Sequence, residues 1–251
     1  MRAYRGTLGI GPVEVAGILI PSAHFQIVHS VCVGGTCDPK FAGEPLNVGA
    51  GIFGVGATDG FADIRSLMGQ LPGNLGSGFI VSLSNTASPT VTVGITPANS
   101  TGFKTVKFAT RLQVQGIPYP HAVDWLPWCY TIPQTGLQNA CVPGGVVSDT
   151  GGLQMVLDFG RMPAPRLFPI DGTLGPGITV IAKLGDITWS FETGTCFHFN
   201  RVDVQFQGAP SPALATNGTA PFFSNDVMYD LRDGLFGFRP TNAAPPPFCT
   251  T

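Results

Sequence analysis

The chain has 251 residues, of which only 11% are charged, less than half the share of about 25% that is usual in globular proteins. The formal net charge is −2 and the 13 Lys and Arg residues are scattered, so the basic patch of a nucleic-acid-binding protein is missing. No apolar run reaches the ~18 residues that cross a bilayer, and no polybasic segment suggests binding to a membrane surface. The 34 glycines and 23 prolines exclude a helical bundle and favour many short strands joined by turns.

The first hundred residues are predicted to form short strands, glycine-rich turns and one helix. A one-sided apolar pattern at positions 64, 67, 68 and 71 predicts a helix that Pro72-Gly73 ends. Alternation of apolar and polar residues predicts strands over 13–15, 25–28, 79–84 and 90–95.

The polar, turn-rich stretch 96–102 is the candidate boundary between two lobes. We expect lobes over 1–100 and 101–240, followed by a Pro-rich tail, 241–251, that only Cys249 would hold in place. Predicted strands of the second part cover residues 106–108, 112–114, 178–184, 187–191, 202–206, 227–229 and 235–238.

Six cysteines are present, none in a C-x-x-C pair or beside a histidine at zinc-ligand spacing, so we expect no metal site. An even number of cysteines without such spacing favours disulfides and an oxidising compartment, and hence a secreted or otherwise exported protein. Six reduced, buried thiols are the alternative. Other connectivities are possible, but proximity in the chain favours Cys32–Cys37 and Cys129–Cys141, leaving Cys196–Cys249.

The second part of the chain contains one pattern that can carry chemistry. Val146-Val147-Ser148 precedes Asp149-Thr150-Gly151, which alone is a weak signal because aspartate turns occur in many β proteins. Gly218 follows Asp149 by 69 residues, within Asn217-Gly218-Thr219. After it come, in order, Phe222-Phe223, Tyr229-Asp230-Leu231 and Gly237-Phe238-Arg239-Pro240.

This order of elements resembles the C-terminal signature of pepsin-like aspartic peptidases. The first part resembles the same family in Tyr4-Arg5-Gly6-Thr7, which corresponds to the flap, although Arg5 is inserted before the glycine. It also contains the apolar–apolar–glycine element, in Ile52, Phe53 and Gly54, whose counterpart in the second part is Gly218. The resemblance spans Tyr4 to Pro240 and implies an all-β, bilobal fold with an incomplete first lobe.

The resemblance implies an aspartic endopeptidase that acts at acid pH on an extended polypeptide, or binds an inhibitor, in the cleft between its lobes. Two carboxylates from two Asp-Thr/Ser-Gly loops share a proton in this family, and together they activate a water molecule. Asp149 would be one of them, Thr150 would hydrogen-bond to the opposite loop, and Gly151 would permit the close approach. Tyr4 would be the flap residue. We expect no cofactor, no nucleic-acid or membrane partner, and a monomer.

The chain departs from the family at the first catalytic loop. Gly54 lies too near residue 1 for an aspartate at the same spacing, and Asp38, the only aspartate among the first 58 residues, has no Thr-Gly after it. The opening residues also lack the charged and apolar regions of a signal peptide. Both departures agree with the absence of a front segment that would carry the first catalytic aspartate and the signal peptide, and a mis-called start, a fragment and a degenerate paralogue all stay open. A further departure is Gly152, where the family has a hydroxyl residue.

Other interpretations stay open. The chain could be a catalytically inactive pepsin-like binding protein that keeps the cleft, or a secreted β-sandwich in which Asp149 is only a turn residue. A homodimer that pairs two copies of Asp149 is disfavoured, because the first lobe would occupy that face. Among smaller features, Trp125 and Trp128 would either line a substrate subsite or pack in a loop.

Overall fold

The computed structural model describes residues 2–33, 36–38, 66–84, 88–108, 110–112, 116–117, 119, 121–123, 126–143, 145–148, 155–160, 162–165, 167, 172–194, 202–206 and 215–241. The strands are β1 (Arg2–Val15), β2 (Ile18–Val33), β3 (Thr36–Asp38), β4 (Gly78–Ser82), β5 (Thr90–Val93), β6 (Lys104–Lys107), β7 (Thr110–Leu112), β8 (His121–Val123), β9 (Cys129–Ile132), β10 (Leu137–Cys141), β11 (Val146–Val147), β12 (Met155–Asp158), β13 (Thr179–Leu184), β14 (Ile187–Glu192), β15 (Val202–Gln205), β16 (Ala215–Thr216), β17 (Asn225–Asp230) and β18 (Leu235–Pro240). Within the described residues the short helices are α1 (Pro97–Ser100), α2 (Ala220–Ser224) and three 3₁₀ helices, Leu67–Gln70, Gly73–Ser77 and Pro133–Thr135. The prediction of an all-β protein is confirmed.

The chain begins with a long antiparallel hairpin. Strands β1 and β2 pair along almost their whole length, and β3 extends the sheet to the order β1-β2-β3. The turn is Ala16-Gly17, and both residues have positive φ, as the tight hairpin turns that match strand twist require. Near that turn Val13, Val15 and Ile18 pack against the main core, which anchors this end of the hairpin.

A buried glutamine fixes the hairpin to the first 3₁₀ helix. Gln70 is 6% exposed, and its side-chain amide binds both backbone groups of His24 in β2. The His24 N–H donates to Gln70 Oε1 at 2.7 Å, and Gln70 Nε2 donates to the His24 carbonyl at 3.1 Å. The side chain thus satisfies two backbone groups on β2 in the way that a neighbouring strand would.

The central sheet has the order β5-β4-β17-β18-β6. Strand β17 pairs with β4, and β18 pairs with β6, so residues near the C-terminal end of the described chain complete a sheet begun near residue 78. Its aromatic side chains include Phe79, Tyr229 and Phe236, each at most 2% exposed. Because the sheet draws strands from both sides of residue 100, the expected lobes share it, and their boundary stays a prediction.

Two four-stranded sheets and a two-stranded ribbon complete the described structure. The sheets have the orders β10-β9-β13-β14 and β11-β16-β12-β15, and β7 pairs with β8. Disulfides Cys32–Cys37 and Cys129–Cys141 each join directly opposite residues of neighbouring strands. These two predicted pairs are confirmed and indicate an oxidising environment, whereas Cys196 and Cys249 lie outside the described residues.

No helix in the described part of the chain has both the length and the apolar character needed to cross a membrane.

Trp128 belongs to the core and is fully buried. Its ring meets Trp189 of β14 edge-on at 6.3 Å and Phe238 of β18 at 5.5 Å, so it joins two sheets. This favours packing over the substrate-subsite interpretation of Trp128. Trp125 lies outside the described residues.

Trp128→Ala is expected to lower the free energy of unfolding by about 3–5 kcal/mol, because it leaves a cavity between the two sheets. The measurement is urea denaturation at neutral pH. Trp128→Phe is the matched control, and we expect a much smaller loss because a ring remains and Trp128 Nε1 has no hydrogen-bond partner among the described residues. Equal losses for the two variants would contradict a packing role for the ring.

Candidate functional site

The strand that leads to Asp149 lies beside the strand that leads to Gly218. Strand β11 is parallel to β16, with Val146 opposite Ala215 and Val147 opposite Thr216. Strand β12 pairs with β16 from the other side in the antiparallel direction. Strand β16 is therefore inserted between two strands that are consecutive in the sequence.

This insertion brings the end of β11, which precedes Asp149 in the sequence, beside the predicted Gly218 turn. The segment containing Asp149 joins β11 to β12, and its described neighbours, Ser148 and Met155, lie on opposite sides of β16. The turn Asn217-Gly218-Thr219 begins where β16 ends, on the same side as the end of β11 because the two strands are parallel. Gly218 has φ +55°, a conformation that favours glycine, and its N–H donates to Thr216 Oγ1 at 2.9 Å.

Two buried tyrosines hold the ends of these parallel strands. The Tyr229 hydroxyl of β17 donates to the backbone carbonyl of Ser148 at 3.1 Å. The Tyr130 hydroxyl of β9 donates to Asn217 Oδ1 at 2.6 Å. Burial raises the pKa of Tyr130 well above its ordinary value, although the Asn217 hydrogen bond opposes this. The hydroxyl therefore keeps its proton and remains a donor over the whole acid and neutral range.

Three further polar atoms are buried at the same strand ends. They are Ser148 Oγ, Asn217 Nδ2 and Thr219 Oγ1, and none has a hydrogen-bond partner among the described residues. The residues are at most 4% exposed. Buried polar groups are ordinarily paired, so these two hydroxyls and the amide N–H, which lack partners within the described residues, are the polar groups of this region whose partners the structure does not identify.

Several predicted site residues are not described by the structure. Asp149, Thr150 and Gly151 lie outside the described residues, as do Ile52, Phe53 and Gly54. Their proposed roles stay predictions.

The backbone of Tyr4 lies in β1, opposite Val31 and next to a register shift between Arg5 and Gly6. The turn of the described hairpin is at Ala16-Gly17 instead. The role of Tyr4 as a flap residue therefore stays a prediction.

The sequence interpretation missed the tyrosine contacts. Tyr229 lies in the Tyr229-Asp230-Leu231 motif, which by itself indicates no contact for the hydroxyl, and Tyr130 lies in none of the motifs. The available signal was that a buried tyrosine usually needs a partner for its hydroxyl. The partners, 81 and 87 residues away, cannot be read from local sequence.

Described residues offer no group of three or more His, Cys, Asp or Glu side chains that could hold a metal ion.

Asp230, at the end of β17, is a buried carboxyl that binds the following turn. It is 3% exposed, and its Oδ1 accepts the Asp233 N–H at 3.0 Å. Burial is the main cause that raises its pKa, and the negative charge of Asp233 adds to the shift. The positive charge of Arg232, whose Nη2 lies 3.9 Å from Asp230 Oδ2, opposes this rise in pKa.

The raised pKa of Asp230 predicts a pH-dependent stability. Between the ordinary pKa of 3.8 and the raised value, Asp230 binds more protons in the folded chain than in the unfolded chain. The contribution of Asp230 to the free energy of unfolding therefore falls as the pH rises through that window. We expect Asp230→Asn to remove this fall, as measured by urea denaturation from pH 3.5 upward, in steps of about half a unit. Asp186→Asn, at an exposed turn, controls for the lost charge. An unchanged pH profile in Asp230→Asn would contradict the assignment.

A search against models of known protein families finds no match to the chain, and a search of curated proteins also finds none.

Proposed function

We propose that the chain is the main part of a pepsin-like aspartic endopeptidase in which Asp149 supplies one of two catalytic carboxylates. The observation that carries the proposal is the insertion of β16 between β11 and β12. In the sequence, Asp149-Thr150-Gly151 follows the end of β11 after one residue, and the Gly218 turn follows β16, the parallel neighbour of β11, which supports the proposal. A turn aspartate in an ordinary antiparallel sandwich does not require this arrangement.

The reaction needs a second carboxylate, and in this proposal it comes from a segment outside these 251 residues. One carboxylate accepts a proton from a water molecule, whose oxygen attacks the carbonyl carbon of the scissile peptide. The other carboxyl is protonated and donates to the carbonyl oxygen, because two adjacent carboxylates share one proton. The C–N bond then breaks as the amine nitrogen takes up the proton that the first carboxylate received from the water, and the second carboxylate regains a proton from a hydroxyl of the intermediate, which leaves the carboxyl product.

The proposal includes the expected bilobal fold and an exported, monomeric enzyme that requires no cofactor. The substrate is an extended polypeptide that pairs with the hairpin through backbone hydrogen bonds, with Tyr4 over the cleft. The two disulfides support export, since such bonds persist in oxidising compartments.

The test is cleavage of an unfolded polypeptide at acid pH by the protein extended with its upstream segment. Cleavage that depends on Asp149 supports the proposal. Absence of cleavage, or cleavage that persists at the same rate in Asp149→Asn, contradicts it. The upstream coding sequence offers an independent check, since an in-frame Asp-Thr/Ser-Gly supports the enzyme and a stop codon opposes it.

A second candidate is a catalytically inactive pepsin-like binding protein. It is favoured by one observation: Asp149-Thr150-Gly151 is the sole Asp-Thr/Ser-Gly in the 251 residues, and Gly152 lacks the hydroxyl that the family has. This candidate predicts that the chain binds an extended peptide without cleaving it, and that Asp149→Asn leaves the affinity unchanged. Isothermal calorimetry at acid pH, with product analysis by mass spectrometry, separates the two candidates.

A further inference from the structure

The turn after β16 contains Asn217 followed by Gly218, a pair that can undergo deamidation. The backbone nitrogen of the glycine attacks the side-chain amide carbon of the asparagine, because glycine has no Cβ atom to hinder the approach. A new N–C bond closes a succinimide ring, the bond from that carbon to Nδ2 breaks, and ammonia leaves with the proton of the glycine N–H. Water then opens the ring at either carbonyl carbon and gives aspartate or isoaspartate.

Both reacting groups of this pair are engaged in hydrogen bonds. Asn217 Oδ1 accepts the Tyr130 hydroxyl of β9 at 2.6 Å, in a bond that is buried. The Gly218 N–H donates to Thr216 Oγ1 at 2.9 Å. Loss of the Gly218 proton costs the bond to Thr216, and movement of the Asn217 amide toward that nitrogen costs the bond to Tyr130. Ring closure is therefore slower while the two bonds are intact.

The donor of the first bond is fixed in the core. Tyr130 lies in β9, which is paired with β10 on one side and with β13 on the other. Its ring meets Phe159 edge-on, with 6.2 Å between ring centres, so the hydroxyl cannot follow a moving amide. Asn217 itself is fully buried. Because opening of a succinimide ring consumes a water molecule, burial slows that step as well.

We propose that Asn217 is a latent deamidation site, which the fold keeps unreactive through the hydrogen bonds from Tyr130 to Asn217 and from Gly218 to Thr216. The reaction has to wait for a local opening that breaks both bonds. Its products damage the turn, since isoaspartate lengthens the backbone between β16 and α2 by one carbon, and either product places an ionisable carboxyl at a buried position. The two bonds thus protect the covalent structure of the turn as well as its shape.

The experiment compares Tyr130→Phe and Thr216→Val with the unsubstituted 251-residue chain. The first variant keeps the ring and loses the donor, and the second keeps the side-chain shape and loses the acceptor. Each protein is incubated at mildly alkaline pH, where the Gly218 nitrogen loses its proton most readily, and deamidation of Asn217 is followed by peptide-mapping mass spectrometry. We expect each variant to deamidate about tenfold faster than the unsubstituted chain, and the unsubstituted chain about 10²-fold faster in urea than when folded.

Tyr229→Phe is the matched control, because it also removes one buried tyrosine hydroxyl, which binds the Ser148 carbonyl and not Asn217. It should leave the deamidation rate unchanged, and urea denaturation measures the global stability of every variant. Equal acceleration in Tyr229→Phe and Tyr130→Phe would assign the reaction to global unfolding and overturn the proposal.

Slower deamidation in Tyr130→Phe would also overturn the proposal, since it would mean that the hydroxyl polarises the Asn217 amide for attack. A folded, unsubstituted chain that deamidates as fast as the chain in urea would overturn it too. That last comparison requires no variant to fold.

Discussion

Asp149→Asn in the upstream-extended protein is expected to lower the rate of peptide cleavage at acid pH by about 10²–10⁴-fold or more, the range that general acid–base catalysis contributes. The asparagine amide has nearly the shape of the carboxyl group but neither accepts a proton from water nor shares one with a second carboxylate. The measurement is kcat on a quenched peptide between about pH 3 and 6, a range that spans ordinary carboxyl pKa values.

The matched control is Asp186→Asn, which removes an equal charge from the exposed turn between β13 and β14. It should leave kcat unchanged. Folding of both variants is checked by urea denaturation, because a lower cleavage rate in an unfolded variant would not test the catalytic role of Asp149. A folded Asp149→Asn protein with the full cleavage rate would exclude Asp149 from the mechanism.

Gly78→Ala is expected to be the most damaging conservative substitution in the central sheet, with a loss of about 3–5 kcal/mol in the free energy of unfolding or failure to fold. Gly78 has φ +153° and ψ −173°, a region that other residues rarely adopt. A Cβ atom there would collide with the backbone oxygen of Tyr229 and lie 2.7 Å from Ile95 Cγ1. These atoms belong to paired strands and core, so they cannot move aside cheaply.

Gly136→Ala separates steric collision from backbone strain alone. Gly136 also has positive φ, +80°, but a Cβ there meets nothing within 4 Å. We expect a cost of about 1 kcal/mol, close to the conformational penalty alone. Urea denaturation of both variants is the measurement. Equal costs at the two positions would contradict the close packing at Gly78.

The strands with a clear alternation of side chains were predictable from sequence. The pattern at Phe79 and Val81 gave β4, and the runs 187–191 and 235–238 gave β14 and β18. The α-helix predicted over 64–71 differs from the structure. Residues 66–71, the part of this segment that the structure describes, form only the short 3₁₀ helix Leu67–Gln70. Pro72 and Gly73 follow at once and leave too few residues for an α-helix to propagate.

The pairing of strands was beyond the reach of local patterns. Parallel pairing of β11 with β16 joins segments about 70 residues apart, and nothing in Val146-Val147 specifies Ala215-Thr216 as the partner. The same limit applies to the tyrosine contacts at the candidate site. The order of motifs in the sequence was enough to predict that Asp149 and Gly218 belong to the candidate site. The hydroxyl donors Tyr130 and Tyr229 could not be predicted in this way, because their contacts depend on tertiary packing.

The adjacency of β4 and β17 has a consequence for biosynthesis. The middle of the central sheet can close only after synthesis has passed β17, which begins at Asn225, about 145 residues after β4. Until then the apolar edge of β4 has no neighbour on that side, a situation that slows folding and invites aggregation. The topology therefore predicts that the nascent segment containing β4 aggregates less when a chaperone covers it until β17 is made.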